Sequence, residues 1–246
     1  MEQSPVNTLW TSGWDSTYRI ADLVLKQRIP VSPWYVMDEN RRSTAVELRT
    51  LAGLRELIAS KDSEAGELLG PLVVRRRKDI PTDSTITEKY DTLFARGYLG
   101  KQYEWLARLA SAENVEFELG LKADDRPTKM LMDYIVPVEG PGLYTLGQDV
   151  GDEPLRLFER FFFPILDMTK ADMMANAREY GFLDVLNETW FCHCPTLSGK
   201  ACGWCAPCEH AREEGFGWRV PKATAVRRLE FLAQKVIWKG RLAFTR

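Results

Sequence analysis

Val6-Asn7-Thr8-Leu9-Trp10, followed at once by Thr11-Ser12-Gly13-Trp14-Asp15-Ser16-Thr17, is the stretch on which the fold turns. The first five residues read as a short buried strand. From about Asp15 to Gln27 the chain reads as a helix, with Ile20, Leu23 and Val24 on one face. A strand that passes through a glycine turn into a helix presents backbone N–H groups together with the positive end of the helix dipole, which suits phosphate. Gly13 lets the backbone approach an anion closely, and Ser12, Ser16 and Thr17 can donate to its oxygens. Asp15 is the odd member, because a carboxylate repels a phosphate. It fits if it caps the helix, or if Mg²⁺ bridges it to a pyrophosphate. The plain alternative is that Ser and Asp are good N-caps and nothing more.

Outward from this turn, strands alternate with helices. Val31 to Met37 reads as a second strand, with Pro33 suggesting an edge or a bulge. Thr44 to Ser60 reads as a helix that buries Leu48, Leu51, Ala52 and Leu54 or Arg55. Leu72 to Arg75 reads as a third strand, Gly97 to Ala112 as a helix with Trp105, Leu106 and Leu109 inward, and Val115 to Leu121 as an alternating strand. Phe161 to Leu166 is a strand end or an extended loop. Lys170 to Tyr180 is a helix stopped at Gly181, and Lys222 to Trp238 is the last helix. This order argues for an α/β fold, a doubly wound parallel sheet with helices on both faces. Ligands in such folds sit at the carboxyl ends of the strands, where strand order reverses. The division expected is a nucleotide-binding α/β domain over 1–185 and, over 186–246, a segment that holds every cysteine of the chain and ends in a C-terminal helix.

Bulk properties narrow the function classes. The 246 residues are 45% hydrophobic and 28% charged, with a net charge of -2, ordinary values for a globular protein. No strong basic excess marks a nucleic-acid binder. The run Arg75-Arg76-Arg77-Lys78 reads as a solvated strand end. No apolar stretch approaches the roughly 20 residues that span a bilayer, and Met1-Glu2-Gln3-Ser4-Pro5 lacks the features of a signal peptide. The expectation is a cytoplasmic protein with no membrane partner.

All five cysteines fall between Cys192 and Cys208: Cys192-His193-Cys194-Pro195, then Cys202-Gly203-Trp204-Cys205-Ala206-Pro207-Cys208. In a cytosolic chain such clustering favours a metal over disulfides. Two-residue spacers let Cys202, Cys205 and Cys208 converge on one tetrahedral ion. A fourth ligand must come from the Cys192–Cys194 turn, and spacing does not choose among Cys192, His193 and Cys194. Structural zinc is the leading reading, with redox chemistry at Cys202–Cys205 or Cys205–Cys208, or an iron–sulfur cluster, as alternatives.

Thr11 to Thr17 resembles the PP-loop of the N-type ATP pyrophosphatases, Ser-Gly-Gly-x-Asp-Ser-Thr. Gly13, Asp15, Ser16 and Thr17 match, Thr11 stands for the serine and Ser12 for the first glycine. No Gly-x-x-x-x-Gly-Lys-Ser/Thr run is present. With the cysteine set and Gly215-Phe216 after it, the chain resembles the 7-cyano-7-deazaguanine synthase family. That resemblance nominates Cys192 as the fourth ligand, with Cys194 second. It also matches Pro164 and Lys170 to a proline and a helix-opening lysine that reaches ATP phosphates or the adenylated carbon. The strand ending at Leu119, with Gly120 and Asp125 beyond it, and the pair Lys101-Gln102 resemble further family positions and imply substrate contacts. Two family segments are missing. Met37-Asp38-Glu39-Asn40-Arg41-Arg42 replaces Tyr-Gly-Gln-Arg, and Arg126-Pro127-Thr128-Lys129-Met130 replaces Tyr-Pro-Asp-Cys.

The resemblance implies ATP as co-substrate, Mg²⁺, a structural zinc and 7-carboxy-7-deazaguanine or a similar carboxylate. Thr11 to Thr17 would bind ATP, with Asp15, Ser16 and Lys170 as the catalytic set. The acceptor amine is ammonia, giving an amide and then a nitrile. Alternatively it is a protein amine, as in similar proteins of bacterial antiviral gene clusters, and the two missing segments fit that alternative. An ATP-binding zinc module without activity and a tRNA-thiolating enzyme are readings of other classes. Families of this kind often form homodimers, although no residue here marks an interface.

Overall fold

A computed structural model describes residues 4–123, 125–138, 142–222 and 224–244. In chain order the elements are β1 (Val6–Leu9), α1 (Trp14–Ala21), β2 (Val31–Met37), α2 (Thr44–Lys61), α3 (Ser63–Leu68), β3 (Val73–Arg76), α4 (Ser84–Arg96), α5 (Gln102–Glu113) and β4 (Phe117–Glu118). Then come α6 (Arg126–Leu131), β5 (Ile135–Pro137), β6 (Tyr144–Leu146), β7 (Phe161–Phe163), α7 (Lys170–Glu179), α8 (Leu183–Asn187), α9 (Ala206–Glu213) and α10 (Ala225–Phe244). Among the described residues, no helix is long and apolar enough to cross a membrane.

The sheet runs β3-β2-β1-β4-β7-β6-β5. The first five strands in that order are parallel, and β6 and β5 add an antiparallel hairpin at the far edge. From β1 the chain winds first to one side (β2, β3) and then to the other (β4, β7). The turn after β1 therefore lies where strand order reverses, the place for a ligand in an open α/β sheet.

The two faces carry separate cores. On one, Trp10, Tyr18, Ile20, Leu23 and Val24 pack with Leu51, Leu54 and Ile58 of α2, with Phe182 and Val185 around α8, and with Cys192, Cys208 and Phe216. On the other, Leu9 and Phe117 pack with Tyr90 and Leu93 of α4, Leu106 and Leu109 of α5, and Phe158. Leu9 and Trp10 thus point to opposite faces, as the period of two along a strand requires.

Several expectations are corrected. Pro33 marks neither an edge nor a bulge in β2, which lies between β1 and β3. The Val31 carbonyl accepts from Gly70 on the β3 side, and the Trp34 carbonyl accepts from Trp10 on the β1 side. By alternation, the Pro33 nitrogen faces β3. There the partner chain takes four steps, from Leu69 to Val73, against three on β2, from Val31 to Trp34. The irregularity is in the neighbour, and no ladder bond is asked of the proline. Ala52 is exposed, and the buried face of α2 runs through Glu47, Leu51, Leu54 and Ile58. Gly97 ends α4, whose amide partner is Leu93, rather than beginning the next helix. The last helix starts at Ala225, not Lys222.

The basic run at the end of β3 is largely paired. Arg75 meets Glu113 at 2.6 Å and Arg77 meets Asp38 at 3.1 Å.

Candidate active site

The loop between β1 and α1 is anchored from below. Trp10 Nε1 donates to Thr17 Oγ1 at 2.9 Å, and both residues are buried. Ser16 Oγ accepts from the Thr11 amide at 3.2 Å and lies 3.2 Å from Thr11 Oγ1. Gly13 is the N-cap of α1 at φ -75, an ordinary value; the left-handed residue is Ser12, at φ 61. That backbone region favours glycine, and here a serine, with its Cβ, is held in it. Ser12 is fully buried and its hydroxyl has no partner. Ser12 and Thr17 are buried, and neither is among the residues that line the two clefts flanking the loop.

Asp15 does not cap the helix: no side chain caps α1, and Asp15 Oδ1 is buried without a hydrogen-bond partner. Trp14 Nε1 is in the same condition. Unpaired buried polar atoms cost about 1–3 kcal/mol each, so a cluster of them around one loop points to something that binds there. Burial raises the Asp15 pKa from 3.8, opposed by the nearby charges of Lys170 and Lys122. The first-turn amides of α1 have no intrahelical acceptor, so N–H groups and one buried carboxylate oxygen surround the same spot.

Two clefts flank the loop and share Thr11, Gly13, Trp14, Asp15, Arg41, Asp125 and His193. The larger, about 550 Å³, lies over the carboxyl ends of β1, β2 and β4. Its floor includes Leu9, Trp34, Val36 and Leu119, and its rim Ser16, Lys101 and Gln102. Gly120 belongs to it too: a Cβ there would stand 3.3 Å from Ile165 Cδ1 and 3.9 Å from Asp15 Cβ. The smaller, about 310 Å³, opens between the loop and the cysteine segment. Trp190, Phe191, Phe216, Lys122, Lys170, Glu214 and Arg219 line it. Lys170, the first residue of α7, reaches Glu214 at 2.5 Å, and Lys122 reaches the other oxygen of Glu214 at 3.6 Å. Asp125 accepts from the Lys122 amide at 2.9 Å and so shapes the turn before α6.

The structure thus brings Thr11, Gly13, Trp14, Asp15, Lys170 and Asp125 to one cleft, and Ser16, Lys101 and Gln102 to the other. The sequence reading assigned no role to Arg41 or Arg219. Arg41 rises from the end of β2 and is held by buried Glu47 at 3.1 Å; Glu47 also accepts from Tyr35 and Ser43, each at 2.7 Å. Its place just beyond a strand's carboxyl end was the available signal.

Cys192, Cys202, Cys205 and Cys208 are all buried, with their sulfurs mutually within 4.8 Å. Four of the Sγ–Sγ distances are 3.6, 3.7, 3.9 and 3.5 Å. A tetrahedron with metal–sulfur bonds of about 2.3 Å has edges of about 3.8 Å, so the donor set fits zinc. Amides of Cys202, Trp204 and Cys205 donate to the sulfurs of Cys192 and Cys202 at 3.2–3.3 Å. Such bonds favour thiolates. Cys194 stands outside the four. Cys205 caps α9 and Cys208 sits in its first turn, where the helix dipole also favours negative sulfur.

Residues 158–219 match the family model described as queuosine biosynthesis protein QueC. The matched segment contains β7, Lys170, all four clustered cysteines and Arg219, and it supports a QueC-like character for the chain. The loop over 11–17 lies outside it. No curated protein matches the chain.

Proposed function

We propose that this protein activates a carboxylate with ATP, as a QueC-like enzyme does, and passes the acyl group to an amine. The observation that carries this reading is Asp15. It is a half-buried carboxylate at the amino end of a helix, whose Oδ1 is buried without a hydrogen-bond donor, with Lys170 and Lys122 acting on its charge. Phosphate alone would not explain it; a nucleotide with a divalent cation would. Asp15 would hold Mg²⁺, which neutralises the pyrophosphate leaving group.

In this reading the larger cleft takes the nucleoside. The free amides of the loop, with Thr11 and Ser16, take the triphosphate. A carboxylate oxygen of the acceptor attacks the α-phosphorus, the bond to the bridging oxygen breaks, and pyrophosphate leaves with that oxygen. Lys170 stabilises the charge that builds on the α-phosphoryl oxygens. The amine then attacks the acyl carbon and AMP departs, leaving an amide. With ammonia as the amine, a second activation dehydrates the amide to a nitrile. The chain's contribution is positioning and charge, and no residue need act as a covalent nucleophile. A zinc held by four cysteines has no open position and serves the fold.

The acceptor proposed is 7-carboxy-7-deazaguanine or a close relative. A protein amine in place of ammonia is the second reading. In its favour, the two segments that depart from the synthase pattern supply Arg41, Arg126 and Pro127 to the larger cleft. AMP and pyrophosphate release from Mg·ATP with 7-carboxy-7-deazaguanine, with and without ammonium, tests both when products are identified by mass spectrometry. A nitrile formed only with ammonium supports the synthase. AMP without nitrile directs the search to another amine. No AMP in either case removes the reading.

A further inference from the structure

The cleft between the loop and the cysteine segment is lined by four cationic side chains of lysine and arginine, and three are neutralised. Lys170 and Lys122 share Glu214, and Arg41 is held by Glu47. Arg219 has no carboxylate within ion-pair distance among the described residues. Its Nη2 donates to the Thr189 carbonyl, to Thr189 Oγ1 at 3.0 Å and to the Asn187 carbonyl at 3.3 Å. Nothing among the described residues engages Nε or Nη1. The guanidinium carbon lies 5.6 Å from the Trp14 ring centre, 5.3 Å from that of Phe191 and 5.9 Å from that of Trp218. Burial lowers its pKa to about 10, so it remains a cation at neutral pH.

A half-buried cation held in place by carbonyls and flanked by aromatic rings gains from an anion that joins it. Glu188 acts on this charge only from beyond ion-pair distance, so the side of the guanidinium that faces the cleft is open to an anion from outside. Its shape follows from the walls: Trp14, Trp190, Phe191 and Phe216 offer ring faces or edges, and the volume of about 310 Å³ is at the low end for small-molecule sites. With Nη2 directed at Asn187 and Thr189, Arg219 offers an incoming carboxylate a charge-assisted bond from Nη1 or from Nε.

We propose that Arg219 is the carboxylate-recognition residue of the acceptor subsite, which takes a planar aromatic acid stacked among Trp14, Phe191 and Phe216. The proposal rests on the adenylation reading for the use made of that acid, but not for its binding. Arg219 fixes the acid's orientation and thereby decides which aromatic compounds are activated.

The test is equilibrium binding to the full-length, metal-loaded protein without ATP, followed by tryptophan fluorescence and calorimetry. The probes are 7-carboxy-7-deazaguanine, its neutral 7-carboxamide and unsubstituted 7-deazaguanine, with a non-hydrolysable ATP analogue measured separately. The wild-type protein is expected to prefer the carboxylate over both neutral compounds by tenfold or more. Arg219→Gln is expected to abolish that preference while leaving affinity for the neutral compounds and for the ATP analogue unchanged. Arg219→Lys is expected to restore part of it. The proposal is overturned if wild type shows no preference, if Arg219→Gln keeps it, or if the variant loses the ATP analogue instead. The wild-type comparison stands even if the variants fail to fold. If adenylation fails, no AMP appears with any acceptor, and this binding ratio remains readable on its own.

Discussion

The amide of Trp190 donates to the carbonyl of Ser12 at 2.8 Å. One short bond ties the chain entering the cysteine cluster, two residues before Cys192, to the one strained residue of the loop beneath both clefts. Trp190 Nε1 donates in turn to the Cys192 carbonyl at 2.7 Å. The cluster and the loop are therefore mechanically joined.

Loss of the metal should damage both fold and catalysis. Metal-binding free energy is folding free energy for such a site. Cys205→Ser, or a strong chelator, should lower Tm by about 10 °C or more, taking roughly 2–4 °C per kcal/mol for a chain of this size. AMP formation should fall with it. Differential scanning calorimetry with metal analysis checks this; a variant that stays metal-free, stable and active would refute a structural role.

Ser12→Gly should stabilise the ligand-free protein. It removes a left-handed serine worth about 1–2 kcal/mol of strain and a buried hydroxyl without a partner worth about 1–3 kcal/mol. Against these stands roughly 0.5–1 kcal/mol of added chain entropy. A net gain of at least about 1 kcal/mol, read as a Tm increase of about 2 °C or more, is expected by thermal denaturation.

Asp15→Asn should separate stability from activity. Burial raises the native carboxyl pKa above its ordinary 3.8. The stability linked to the protonated form is then fully present below that ordinary value and is lost as pH rises through the raised native one. At neutral pH the charged Asp15 is a liability to the ligand-free fold, so the asparagine variant should melt higher at pH 7 and depend less on pH between pH 4 and neutrality. Its AMP formation should be abolished. A lower Tm would mean that Asp15 is a structural group.

Lys170→Ala should lower kcat by about 10²–10³, the loss typical when one charge-stabilising donor is removed. Its effect on Tm should be small, since the pair with Glu214 is partly exposed, with side chains 21% and 34% accessible, and such pairs are worth about 0–1 kcal/mol. Steady-state kinetics beside a melting curve separates the two; a large Tm loss with unchanged kcat would make Lys170 a packing residue.

The sequence was most readable where one physical cause dominates. β2 spans Val31 to Met37 with Val31, Pro33, Trp34 and Tyr35 buried, and Gly181, at φ 73, ends α7 as a helix-stopping glycine does. The cysteine tetrad followed from spacing, with the fourth member supplied by resemblance. The hairpin of β5 and β6 was missed because each strand is three residues long and mostly outside the core. α4 was missed because only Tyr90 and Leu93 of its thirteen residues are buried. Arg219 carries no local signal at all: its significance comes from Thr189, Trp14 and Phe191, which only the tertiary fold brings beside it. Ser12 shows the converse, a substitution visible in the sequence whose strain is visible only in the backbone.

The most direct test of carboxylate activation is the fate of an oxygen label. The acceptor 7-carboxy-7-deazaguanine, ¹⁸O-labelled in its carboxylate, is incubated with Mg·ATP, the protein and ammonium, and the nucleotide product is weighed by mass spectrometry. Attack of the carboxylate on the α-phosphorus predicts AMP carrying one ¹⁸O atom for each amide first formed. Unlabelled AMP, or ADP as the product, would contradict adenylation of the acceptor.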